Sequence, residues 1–210
     1  MPRSIYCGKE IATDQMCVSM VAQGGGSGGY LGHAHLAFEW RDIDTKKWRH
    51  LVYHLVGSRR ESLGSGHIVY NVASVEKIEQ TETEQGYYSC GGRSGRPVRE
   101  AVDTPSTWYN RERGASASVI LSMPRGYRAL TICDHLAGGQ EEPHRVKSRH
   151  FSLVGANVKL GTNCITFTRQ VLKTIGVKMD WKMYILSFAS PYAAVRVGSL
   201  YKTRWDANAR

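Results

Sequence analysis

A chain of 210 residues with 41% hydrophobic and 10% aromatic content can bury a substantial core, and neither its length nor any long polar linker calls for a second domain. No apolar run approaches the roughly 20 residues that cross a bilayer, and residues 1–10 hold no apolar stretch of the signal-peptide kind, so any export is expected to use another route. The 28 basic residues against 18 acidic ones leave a net charge of +10, which draws the chain to anionic surfaces without naming one.

Residues 17–22 read as a short strand that runs into Gly24-Gly25-Gly26-Ser27-Gly28-Gly29. This formally contains GxGxxG, but it leads into a histidine-bearing strand where a dinucleotide site needs a helix N-terminus, so it reads as a flap or flexible connection. His33 to Trp40 and Trp48 to Val56 follow as two strands, from their alternation and their aromatic and branched content. In the first, His33, His35, Ala37 and Glu39 share one face and Leu36, Phe38 and Trp40 the other; in the second, His50, Val52 and His54 lie opposite Leu51, Tyr53 and Leu55. A hairpin turn centred on Asp44-Thr45 sets Glu39 opposite His50 and His35 opposite His54. Residues 67–74 are a further strand, and 77–115, polar, charged and rich in glycine, read as an insertion of loops and short hairpins. A strand over 116–122 ends at Pro124, and the spacing of Tyr127, Leu130, Cys133 and Leu136, closed by Gly138-Gly139, predicts a helix. Residues 151–158 return to strand character. The stretch after Gly176 is apolar, with Pro191 in its middle, and fits helix or strand.

Between these lies Asn163-Cys164-Ile165-Thr166-Phe167. Phe167, Val171, Leu172 and Ile175 recur at helical spacing, Thr162 or Asn163 is the candidate N-cap, and Gly176 stands where a left-handed C-cap residue belongs. Cys164 then occupies a first turn, where free N–H groups and the helix dipole stabilise a thiolate. It is expected to be the most reactive of five thiols, Cys7, Cys17, Cys90, Cys133 and Cys164. Their odd number and scatter argue for a reducing site of synthesis and against a disulfide framework, although a Cys7–Cys17 bridge stays open.

A histidine strand followed much later by an Asn-Cys helix, with His35-x-Ala37 opening the strand and Asn163-Cys164-x-x-Phe167 the helix, resembles the circularly permuted NlpC-type branch of the papain-like superfamily. That branch includes lecithin:retinol acyltransferase-like enzymes and bacterial permuted peptidases and amidases. The resemblance implies an α+β fold, an antiparallel sheet packed against the helix that carries the nucleophile, in a single domain over 1–210. It also implies Cys164 as nucleophile, His35 as base and His50 as orienter, with no cofactor and no metal. The activity implied is amide cleavage through an acyl-enzyme, on a peptide or peptidoglycan substrate. A bacterial antibacterial effector would fit, made in the cytoplasm, exported without a cleavable signal and active in a target periplasm, with an immunity protein or secretion-system carrier as partner. The same layout serves protein deamidation, effector-type proteolysis and lipid acyl transfer.

Two other readings compete. His33-x-His35-x-x-x-Glu39 and Gly64-x-x-His67-x-x-x-Asn71 echo cupin metal motifs, but the proline and glycine framework of those motifs is missing and the Asn-Cys helix is left unexplained. Cys133-Asp134-His135 points its side chains apart on a helix, as a core cysteine beside a surface histidine. The other reading is a basic binding module in which Cys164 is only core. Arg93, Arg96, Arg99 and the cluster Arg145, Lys147, Arg149, His150, near Tyr87, Tyr88, Trp108 and Tyr109, are better read as solvated loops than as a nucleic-acid groove, because no nucleic-acid motif accompanies them.

Overall fold

The computed structural model describes residues 4, 6–23, 33–46, 48–62, 69–82, 88–90, 114–137, 164–188 and 190–205. Among them, β1 (Gln15–Gln23), β2 (His33–Arg41), β3 (Trp48–Ser62), β4 (Val69–Glu82), β5 (Tyr88–Cys90) and β6 (Gly114–Ser122) form one sheet in the order β5-β4-β3-β2-β1-β6. Every neighbouring pair is antiparallel. From residue 69 on, the strand expected at 67–74 is the first part of β4, which pairs with β3 as far as Gln80 and with β5 from Gln80 to Glu82. Residues 77–82 thus belong to the paired sheet, and residues 88–90 return against 80–82 as a short hairpin. Residues 91–113 and the strand expected at 151–158 lie outside the described residues.

Helices α1 (Met123–Ala137) and α2 (Cys164–Thr174) cover one face of this sheet. Their buried residues, among them Leu130, Cys133, Phe167, Val171 and Leu172, share one apolar cluster with Met16, Val18 and Met20 of β1, Leu36 and Phe38 of β2, and Leu51 and Tyr53 of β3. Phe38 and Tyr53 meet edge to face with centroids 5.7 Å apart, and the Tyr53 hydroxyl leaves the core to donate to Asp134 Oδ1 at 2.7 Å. Burying Phe167, Val171 and Leu172 contributes about 1.5–3 kcal/mol each, so packing rather than propensity holds α2. α1 approaches β1 so closely that a Cβ on Gly126 would sit 2.5 Å from the Met16 sulfur.

The ambiguous C-terminal stretch resolves into β7 (Val177–Met179), α3 (Trp181–Leu186), α4 (Pro191–Val197) and β8 (Leu200–Lys202), with β7 paired to β8. Asp180 caps α3 by accepting from Met183 N at 2.7 Å, and Ser190 caps α4 by accepting from Ala193 N at 3.2 Å, with Pro191 at the first helical position. Gly176, at φ +64°, makes the left-handed turn that ends α2 and starts β7.

Arg125 locks these parts together. Its Nε donates to the Ile175 carbonyl at 2.6 Å, and its Nη2 to the carbonyls of Gly176 and Thr203 at 2.7 and 3.0 Å. One guanidinium thus joins α1 to the end of α2 and to the chain after β8.

Candidate functional site

Cys164 opens α2 with its side chain buried, 6% exposed, among the apolar residues between helices and sheet. Burial pushes the thiol above its ordinary range, and the N–H groups of Ala34, Ile165 and Cys164 itself, all directed at the sulfur, pull it partly back. The contact with Ala34 places the sulfur at the start of β2, one residue along the chain from His35. Thr162 and Asn163, the candidate caps, lie outside the described residues.

His35 and His50 do not join Cys164. Strand alternation sets Ala34, Leu36 and Phe38 toward the helices, so His35, Ala37 and Glu39 occupy the far face of β2, and His50 lies on that same face of β3. The hairpin register is the one the Asp44-Thr45 turn predicts, with Glu39 opposite His50; residues 42–47 connect the strands, and Asp42 Oδ1 accepts from Thr45 N at 2.8 Å. That register corrects the expected role of His50. Four residues at about 3.3 Å each separate positions 35 and 39, so His50 stands roughly 13 Å along the sheet from His35, beyond hydrogen-bonding reach. Among the described residues the β2–β3 pairing ends at Leu36↔Tyr53. The side chains of His33 and His54 lie outside the described residues.

The far face is itself buried, which the alternation did not reveal. Glu39 and His50 are 0% and 1% exposed, with His50 Nδ1 3.5 Å from Glu39 Oε1 and Trp48 stacked on the imidazole at 5.9 Å. Burial holds the His50 imidazole at about 3, so it is neutral. The N-terminal segment covers this face. The Ser4 hydroxyl donates to Glu39 Oε2, lies 3.7 Å from Cys17 Sγ, and accepts from the N–H groups of Tyr6 and Cys7 at 3.2 and 3.0 Å. Ile11, Cys17 and Trp48 form a small apolar cluster with Cys7 against it.

The thiol held below its ordinary range is Cys7 rather than Cys164. Cys7 is half-buried, and a hydrogen bond from Cys17, helped by Ser4 and Lys9, holds it down at about 5 against the opposing effect of burial. Cys17 is correspondingly raised above its usual range by that same thiol contact, by burial and by the Glu39 charge. Cys7 and Cys17 are both free thiols here rather than a bridge. Cys133 is fully buried on α1 while His135 is exposed. Among the described residues no three side chains of His, Cys, Asp or Glu gather as a metal site would; His67 and the arginine clusters at 93–99 and 145–150 lie outside those residues. No helix among the described residues is long and apolar enough to cross a membrane.

No protein-family model, curated protein or solved structure matches this chain.

Proposed function

We propose that the chain is a thiol hydrolase that cleaves an amide bond through an acyl-enzyme, on the plan of permuted NlpC-type papain-like enzymes, with Cys164 as nucleophile and His35 as base. The observation that carries this reading is the Cys164 sulfur at the N-terminus of α2, receiving the N–H of the residue next to His35. The thiol is buried and the imidazole lies on the far face of β2. Turnover requires the start of β2 to turn so that the His35 ring comes round the strand to the sulfur. His35 then takes the thiol proton, the sulfur attacks the carbonyl, the helix N–H groups receive the oxyanion, and the imidazole protonates the departing amine before water releases the acyl group.

The substrate in this reading is an amide bond in a bacterial wall peptide, for which the charge of +10 favours residence on an anionic polymer. An exported antibacterial effector, with an immunity protein or secretion-system carrier as partner, follows from it. Purified wall fragments incubated with wild type, Cys164→Ala and His35→Ala, then analysed by mass spectrometry, test the reading. New peptide termini are expected with wild type alone. Cleavage that survives Cys164→Ala defeats it, and intact fragments with wild type remove the wall as target.

One observation favours a second reading, a basic binding module in which Cys164 is core: the thiol is buried and raised by that burial. Cys164→Ala would then lower stability and change no chemistry.

A further inference from the structure

A pair of cysteines, Cys7 and Cys17, meets on the far face of the sheet, at the rim of a cleft of about 460 Å³. Cys7 lines that cleft together with Lys9, Lys202, Ser116 and Ser118. Cys17 lies behind Cys7, within hydrogen-bonding reach of it and of the Ser4 hydroxyl that also holds the Cys7 N–H. From Cys17 a line of hydroxyls leads back to the cleft, with Sγ 3.4 Å from Ser19 Oγ and Ser19 Oγ 2.7 Å from Ser118 Oγ. The outer thiol is thus accessible and the inner one enclosed, the asymmetry that a two-step exchange needs. Two ammonium groups and hydroxyls at the opening suit a small ligand that carries carboxylates.

We propose that Cys7 and Cys17 form a redox-active dithiol that reduces a small anionic disulfide bound in this cleft. The Cys7 thiolate attacks one sulfur of the ligand, forming a mixed disulfide and releasing the first thiolate. Cys17 gives up its proton along Ser19 and Ser118, and its sulfur attacks Cys7 Sγ, forming the Cys7–Cys17 bond and expelling the second thiolate. Two electrons pass to the ligand disulfide, and the protons of Cys7 and Cys17 end on the two released thiols. The lowered Cys7 thiol and the raised Cys17 thiol match these roles. None of this involves Cys164.

The test uses the reduced full-length chain, oxidised glutathione as the anionic disulfide and hydroxyethyl disulfide as a neutral one, with acid quenching and mass-spectrometric disulfide mapping. Wild type is expected to form the Cys7–Cys17 bond, Cys17→Ser to accumulate glutathione on Cys7, and Cys7→Ser to do neither. Lys9→Gln combined with Lys202→Gln should slow the reaction with oxidised glutathione by roughly three- to tenfold and leave the neutral disulfide within about twofold. Cys164→Ala should react as wild type does, which separates this outcome from the fate of the hydrolase reading. Glutathione that stays on Cys7 of the wild type, first attack at another cysteine, or equal slowing of both disulfides overturns the proposal. The wild-type mapping needs no variant to fold.

Discussion

Replacing Arg125 by methionine keeps much of the side-chain volume and deletes the clasp between α1, α2 and the end of the chain. Three carbonyls lose a charged donor. That of Gly176 keeps the N–H and hydroxyl of Thr203, at 2.8 and 2.7 Å, so those of Ile175 and Thr203 bear the loss. A hydrogen bond to a charged group contributes about 1.5–3 kcal/mol, and the arginine also lies over the Trp205 ring at 5.6 Å. Because desolvation of the guanidinium offsets part of this gain, we expect Arg125→Met to cost about 3–4 kcal/mol. In a chain of this size each kcal/mol moves the melting temperature by about 2–4 °C, so a drop of roughly 10 °C should appear in thermal melts followed by circular dichroism. Arg125→Lys should recover less than half, since one ammonium cannot reproduce the fork. A drop under about 3 °C, or full recovery by lysine, would refute the reasoning.

His50 makes a pH prediction with a definite sign. Its folded value of about 3 lies below the ordinary 6.5, so the unfolded chain takes up a proton that the folded protein refuses, and stability falls from about pH 6.5 toward pH 3 by up to about 1.4 kcal/mol per unit. Chemical denaturation of wild type and His50→Gln should show the wild type's advantage shrinking as the pH drops; parallel curves would sink this. Iodoacetamide near neutral pH should label Cys7 well before Cys164 or Cys133, because of these three Cys7 alone combines exposure with a lowered thiol. Equal rates at Cys7 and Cys133 would contradict it.

Local pattern carried much of the architecture. Alternation located β1, β2, β3 and β6, the Asp44-Thr45 turn set the Glu39↔His50 register, and helical spacing placed α1 and α2 with Gly176 at the break. The assembly of the site was less legible, because Ala34 to Trp40 is buried on both faces. Alternation divides the two sets without saying which one a helix covers, and the polar set looked like the functional one while Ser4, Cys17 and Trp48 were enclosing it. A cue existed in the Cys7 and Cys17 pair, which a strand beginning at Gln15 brings back over the first few residues. The caps Ser190-Pro191 and Asp180 were also readable ahead of time. Arg125 was not, since its carbonyl partners lie 50 to 78 residues away and belong to the main chain.

The strand order has a consequence for how the chain reaches this state. β2 and β3 close over residues 42–47, whereas β6 must find β1 across the 90 residues between Gln23 and Gly114. Closing the longer loop costs about 4 kcal/mol of chain entropy against roughly 1.6 for the shorter. The histidine hairpin should therefore form early and β6 dock late, carrying α1, which follows it without a break at Met123. Until then the outer edge of β1, from Gln15 to Gln23, stands unpaired and ready to take a strand from another chain, so refolding yield should fall as protein concentration rises.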